Sequence, residues 1–108
     1  MPEKIHVHSV VRKFEWDEIK NSFNIRKHGF DFADAEEIFS GILLVNADVR
    51  EDYGEDRWTG VGTVRGCAVH VVFTERAPNI IRIISLRKAT SRERKQYQKA
   101  IQDRLEAY

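Results

Sequence analysis

The chain has 108 residues, of which 42% are hydrophobic and 32% charged, and this size and composition indicate one globular domain rather than a disordered chain. Its longest apolar runs are far shorter than the ~20 residues that cross a bilayer, so we expect no membrane span. The N-terminus lacks a secretory pattern and the single cysteine cannot form an internal disulfide, which favours a cytoplasmic protein.

The net charge of +1 conceals an uneven distribution along the chain. Residues 14–57 contain twelve acidic and five basic side chains, whereas residues 82–104 contain eight basic and two acidic ones. A basic block of this kind suits a phosphate-bearing partner, and the acidic half suits a basic protein partner. Ordinary solvated surface is the alternative interpretation for both.

The first thirteen residues alternate apolar and polar side chains at Ile5, Val7 and Val10. This pattern suits either a short edge strand or a loose tail. We therefore treat residues 1–13 as an N-terminal extension and residues 14–108 as the single domain.

A first helix is predicted from Trp16 to Gly29. Asp17 can cap its start, and Gly29 stands where helices commonly end. Trp16, Ile19 and Phe23 recur at helical spacing, so we expect them to face the core rather than to stack on bases.

A second helix is predicted to follow at once and to end at Gly41. Asp31 and Asp34 form a pattern like a capping box at its start. Its apolar stripe is expected to be buried. The stripe consists of Phe32, Ala35, Ile38 and Phe39.

Beyond residue 41, β-branched runs separated by turn residues predict strands. The predicted strands are residues 42–49, 57–64, 68–75 and 80–86. The turns between them are short, which favours an antiparallel meander.

The chain closes with an amphipathic helix in this interpretation. Thr90 and Glu93 form a capping box, and Tyr97, Ile101 and Leu105 lie four residues apart on one face. The predicted fold is therefore α+β: one compact domain with two N-terminal helices, an antiparallel sheet of three to four strands and a C-terminal helix.

Several kinds of chemistry are excluded by the motifs that the sequence lacks. The four histidines and one cysteine have no metal-site spacing, so we expect no metal. There is no phosphate loop, dinucleotide fingerprint or serine-hydrolase elbow, so we expect no nucleotide cofactor and no serine hydrolysis.

Metal-free cleavage of RNA remains compatible with the residues. It requires a base that takes the 2′-hydroxyl proton, a cation for the phosphorane charge and an acid for the leaving 5′-oxygen. Side chains of these types occur at residues 26–28, 75–76, 82 and 87–88. Stabilisation of the helix dipole is the alternative role for the first group, and an exposed ion pair is the alternative for the second.

Arg82 differs from the other candidates because Ile80, Ile81, Ile83 and Ile84 surround it in a strand that looks covered on both faces. A guanidinium there must find an anion or reach an open groove. We favour a functional role over a buried structural ion pair.

Four segments of the chain resemble the BrnT toxin family. They read FEWD at 14–17, NIRKHGFDF at 24–32, REDYGEDRW at 50–58 and RIISLRKAT at 82–90, followed by Glu93 and Tyr97. The similarity covers roughly residues 14–100 in unbroken order, which is more specific than a single motif. The N-terminal extension departs from the family pattern, as does Leu86, where the family commonly has alanine.

The resemblance implies a RelE-like fold and an endoribonuclease toxin that inhibits translation. It also implies neutralisation by a BrnA-like ribbon-helix-helix antitoxin, with the complex binding operator DNA. The residues carried over as the catalytic set are Lys27, His28, Arg82 and Arg87. The second candidates are Glu75, Arg76 and Tyr97. The basic side chains expected to bind RNA are Lys88, Arg92, Arg94 and Lys95.

A second hypothesis remains beside the enzyme. The basic C-terminal region also fits a non-catalytic nucleic-acid-binding subunit of a DNA-binding repressor complex. New 5′-hydroxyl ends on RNA would separate the two, because binding alone does not create them.

Overall fold

The computed structural model describes the backbone of residues 4–7 and the whole of residues 12–106, so part of the N-terminal extension lies outside the described residues. The elements in chain order are β1 (Lys4–Val7), β2 (Lys13–Glu15), α1 (Glu18–His28), a 3₁₀ turn (Phe32–Asp34), α2 (Ala35–Ser40), β3 (Ile42–Ala47), β4 (Trp58–Val64), β5 (Cys67–Ala77), β6 (Ile80–Lys88) and α3 (Ser91–Glu106). No helix of this part of the chain is long and apolar enough to span a membrane.

The strands form one mixed sheet in the order β1-β3-β4-β5-β6-β2. The predicted meander from β3 to β6 is antiparallel as expected. The expectation of three to four antiparallel strands was wrong, because β1 adds to the β3 edge and β2 pairs with β6 in parallel. Both additional strands have four residues or fewer, too short for a clear alternating pattern.

The hydrophobic core lies in two layers, one on each face of the sheet. The larger cluster joins the buried stripe of α2 to one face, and Phe39 contacts Phe14 and Phe73 within it. The smaller cluster joins α3 to the other face through Leu44, Val61 and Tyr97. All four side chains of the predicted stripe are buried, but Phe32 lies in the 3₁₀ turn and only the other three lie in α2. The fold is α+β with three α-helices in the described residues.

Helix α1 has the predicted caps, but a different side of the helix from the predicted one is buried. Asp17 accepts hydrogen bonds from two backbone N–H groups in the first turn, and Gly29 ends the helix with a φ of 78°. Ile19 and Phe23 are 70% and 61% exposed, so the prediction that they face the core was wrong. The buried side chains of α1 are Asn21 and Asn24, because their amides satisfy backbone groups that a hydrophobic side chain would leave unpaired.

Helix α3 begins with the predicted capping box. The N–H of Glu93 donates to the Thr90 hydroxyl, and the N–H of Thr90 donates to the Glu93 carboxylate. Tyr97 is buried and Ile101 is half-buried, but Leu105 is 67% exposed. The predicted apolar face is therefore confirmed only for the first half of the helix.

Candidate active site

The face of the sheet that carries α3 is only partly covered. Cross-strand partners share a face, and the register places Asn46, Thr59, Val72 and Ser85 in one row across β3 to β6. Val72 is buried, whereas the three polar members are half-buried. We call this surface the polar face, defined by the row and by Arg82 and Arg87, which lie on the same side of β6.

Arg87 is fixed at the α3 side of the polar face by Glu93. Two guanidinium nitrogens donate to the two carboxylate oxygens at 2.8 and 2.9 Å. This bidentate pair is the strong, geometrically specific form of an arginine–carboxylate contact. Hydrogen bonding to Arg87 lowers the pKa of Glu93 to about 2, so the carboxylate is charged at neutral pH.

His70 lies beside this pair, since it is the register partner of Arg87 on β5. Its Nε2 is 3.7 Å from the Glu93 carboxylate, while its buried Nδ1 makes no hydrogen bond to the described residues. Burial lowers the pKa of His70, and the positive charge of Arg87 lowers it further. His70 is therefore neutral at pH 7.

The Arg87–Glu93 pair gives a prediction for acid stability. Because Glu93 is more acidic in the folded chain than its ordinary pKa of 4.5, its contribution is complete above pH 4.5 and is lost as the pH falls toward 2. We expect a smaller loss of unfolding free energy over this interval in Glu93→Gln than in the unchanged protein, measured by urea denaturation. Asp48, whose pKa is also lowered to about 2, is present in both proteins, so equal losses would contradict the assignment to Glu93.

Arg82 lies on the same face near the opposite end of β6. Its guanidinium is 3.9 Å from the carboxylate of Glu15, its register partner on β2, and Arg76 approaches the same carboxylate at 4.0 Å. The side chain of Arg82 is 30% exposed, and Ile80 and Ile84 are half-buried. The expectation that this strand is covered on both faces was therefore wrong, and the long ion pair leaves Arg82 able to bind another anion.

Lys27 and His28 lie at the end of α1 next to the β6 edge. Asn24 accepts a hydrogen bond from the N–H of Leu86 and donates to its carbonyl, which docks α1 against the strand. Lys27 and His28 follow Asn24 by three and four residues, one turn further along the same side of α1. Lys27 is exposed and His28 is half-buried.

The second candidates are distributed differently. Glu75 and Arg76 are exposed at the end of β5. Tyr97 is buried, and its hydroxyl donates to the carbonyl of Ile42 at 2.7 Å. Burial raises the pKa of Tyr97, so this residue holds α3 against the sheet as a neutral donor.

The predicted RNA-binding side chains are all exposed at the end of β6 and along α3. They are Lys88, Arg92, Arg94 and Lys95. They lie beyond Arg87 in the chain and extend the cationic surface along α3.

Two residues of the site were not anticipated from the sequence. Glu93 was recognised as a helix cap, but its contact with Arg87 joins two elements and has no local sequence signal. Arg57, just before β4, was noted only as part of the resemblance. Its place next to Trp58, the first residue of β4, depends on strand register, which the sequence does not show directly.

Comparison with known proteins agrees with this architecture. A family model described as "Ribonuclease toxin, BrnT, of type II toxin-antitoxin system" matches residues 16–93. The crystal structure of the Brucella abortus ribonuclease toxin BrnT is similar over 75% of this chain and 100% of that one, with 31% sequence identity and a TM-score of 0.57. The comparison with curated proteins gives no match.

The fold and the family match together place the protein among the small toxins of type II toxin-antitoxin systems. Within this class, the chain belongs to the BrnT family of ribonuclease toxins.

Proposed function

We propose that this protein is a metal-independent endoribonuclease that cleaves RNA and thereby inhibits translation. The observation that carries the proposal is the polar face, on which Arg82 and Arg87 are half-buried and point to the same side of β6. Two cations on an open face suit a substrate with a phosphate backbone. Lys27 and His28, at the end of the helix that docks against β6 through Asn24, supply groups that can carry protons.

In the proposed reaction the 2′-oxygen of the RNA attacks the adjacent phosphorus, and the bond from phosphorus to the 5′-oxygen breaks. Lys27 or His28 takes the 2′-hydroxyl proton, and a protonated group returns a proton to the leaving 5′-oxygen. Arg82 and Arg87 stabilise the charge that develops on the phosphorane. The products are a 2′,3′-cyclic phosphate and a 5′-hydroxyl. Glu75, Arg76 and Tyr97 remain the second candidates for the active-site set.

Membership of a type II toxin-antitoxin family implies an antitoxin partner. We propose that this partner is a BrnA-like protein with a ribbon-helix-helix domain, that the complex binds operator DNA, and that the toxin acts in the cytoplasm. The exposed basic side chains of α3, including Arg92, Arg94 and Lys95, would guide RNA to the polar face through their charge.

The same basic helix favours one alternative, a nucleic-acid-binding subunit without chemistry. Incubation of the purified protein with a defined RNA in EDTA, followed by end-group analysis, separates the two functions. New 5′-hydroxyl and 2′,3′-cyclic phosphate ends would support the nuclease. RNA that is bound but remains intact would support the binding subunit.

A further inference from the structure

A second arginine faces the same part of the sheet as Arg82. The β4–β5 register ends at the pair Trp58 and Phe73, and its continuation by one residue brings Arg57 opposite Thr74. The hydrogen bond from the Thr74 hydroxyl to the carbonyl of Asp56 agrees with this continuation. Thr74 in turn pairs with Arg82. Because cross-strand partners share a face, Arg57 and Arg82 flank Thr74 on the polar face.

The backbone around Arg57 is well anchored. Its carbonyl accepts a hydrogen bond from the N–H of Asp48, and the Thr74 hydroxyl donates to the carbonyl of Asp56 at 2.6 Å. The Arg57 guanidinium lies over the ring of Tyr53, with 4.0 Å between its central carbon and the ring centroid. An aromatic support of this kind holds the guanidinium plane while its in-plane N–H groups remain available.

The donors of Arg57 are incompletely used. Its Nε is buried and makes no hydrogen bond to the described residues, although a carboxylate oxygen of Glu55 lies 3.6 Å away. The side chain is 25% exposed. The terminal nitrogens of Arg57 make no hydrogen bond to the described residues either, so the exposed part of the guanidinium can bind an anion that reaches the surface.

Arg87 provides the contrast. Both of its terminal nitrogens already donate to Glu93, and one also donates to the carbonyl of Lys88. Arg57 and Arg82 instead make single ion pairs at 3.6 and 3.9 Å. Free donor capacity on the polar face is therefore greater at Arg57 and Arg82 than at Arg87.

We propose that Arg57 and Arg82 form a phosphate clamp above Thr74, in which both guanidinium groups bind one phosphate of a single-stranded RNA. This inference rests on the proposed function for its ligand, since it names the group that the polar face holds. Two strand spacings separate the residues, so their Cα atoms lie about 10 Å apart. Two arginines that lean toward Thr74 from either side can reach one phosphate, which then takes the place of Glu55 and Glu15 as their partner.

The clamp can be tested by binding, independently of cleavage. The probe is a fluorescent single-stranded 2′-O-methyl oligoribonucleotide, which lacks the 2′-hydroxyl nucleophile and stays intact. Its dissociation constant is measured by anisotropy at a series of salt concentrations for the unchanged protein, Arg57→Ala, Arg57→Gln, Arg82→Ala and the Arg57→Ala/Arg82→Ala double variant. Arg65→Ala is the matched control, because Arg65 is exposed at the β4–β5 turn and pairs with Asp34. Thermal unfolding verifies that each variant is folded.

We expect Arg57→Ala and Arg57→Gln to weaken binding several-fold and to reduce the slope of log affinity against log salt by about 0.7, the value for one phosphate contact on a single strand. Because one phosphate is shared, the double variant should lower the slope by little more than either single variant. Arg65→Ala should leave the slope unchanged.

An unchanged slope in folded Arg57→Ala or Arg57→Gln would overturn the clamp. A double variant whose loss equals the sum of the single losses would also overturn it, because the two arginines would then bind separate phosphates. If the protein binds the oligonucleotide but never cleaves RNA, the proposed function is contradicted. The salt slopes of the variants would still show whether Arg57 and Arg82 bind one phosphate.

Discussion

Replacing Arg82 with alanine is expected to reduce the rate of RNA cleavage by at least about 100-fold, the usual effect of removing a donor that stabilises developing charge. The guanidinium lies on the polar face with only a 3.9 Å ion pair to Glu15, so its loss removes positive charge without opening the core. The measurement is single-turnover cleavage of a defined RNA in EDTA, with saturating protein.

Two further variants make this experiment specific. Arg82→Lys keeps the charge but not the two-pronged geometry, so we expect an intermediate rate. Arg65→Ala, the control at the β4–β5 turn, should retain the full rate. Cleavage by Arg82→Ala at the rate of the unchanged protein would remove Arg82 from the active site and favour a site centred on Lys27 and His28.

Replacing Asn24 with alanine is expected to lower the unfolding free energy by about 3 kcal/mol, since it leaves several buried backbone groups without partners. The Asn24 side chain bonds to the N–H and carbonyl of Leu86 and to the carbonyl of Phe30. The total unfolding free energy of a domain is typically about 5–15 kcal/mol, so a change of this size is large. Urea denaturation measures it.

The control for Asn24→Ala is Ser22→Ala on the same helix. Ser22 is exposed, and its hydroxyl donates only to the carbonyl of Glu18 within α1. We expect this variant to unfold within about 0.5 kcal/mol of the unchanged protein, as most surface substitutions do. If Asn24→Ala were as stable as Ser22→Ala, the docking of α1 would have to depend on other contacts.

The longer elements were predictable because their signals are local. Capping residues located the starts of α1 and α3, and β-branched runs located β3 to β6. The orientation of α1 was not predictable in this way. Ile19 and Phe23 have the spacing of a buried stripe, but Asn24 bonds to the backbone of Leu86 beyond the part of β6 that pairs with β2, and Asn21 accepts from the N–H of Phe32. These two amides are therefore buried instead.

The candidate site residues were chosen from the sequence by their types, whereas their partners were not predictable. A single arginine among isoleucines singled out Arg82, but the strand is not covered on both faces, since Arg82 is 30% exposed. Its functional role stays a prediction. The pairing of Arg87 with Glu93 joins a strand to a helix, and the hydrogen bond of Thr74 to Asp56 joins β5 to the segment before β4. Such contacts depend on strand register and helix docking, which a single sequence specifies only through the whole fold.

Glu93 has two structural tasks, since one carboxylate caps the first turn of α3 and holds Arg87 in place. If the first turn of α3 frays, Glu93 moves away and Arg87 loses its partner. The fraction of molecules in which Arg87 is held in place therefore depends on how often this helix end opens. Substitutions at positions such as Thr90 or Ser91 can thus tune the site without touching it. Global stability alone is a poor guide to how much of the protein is competent to act.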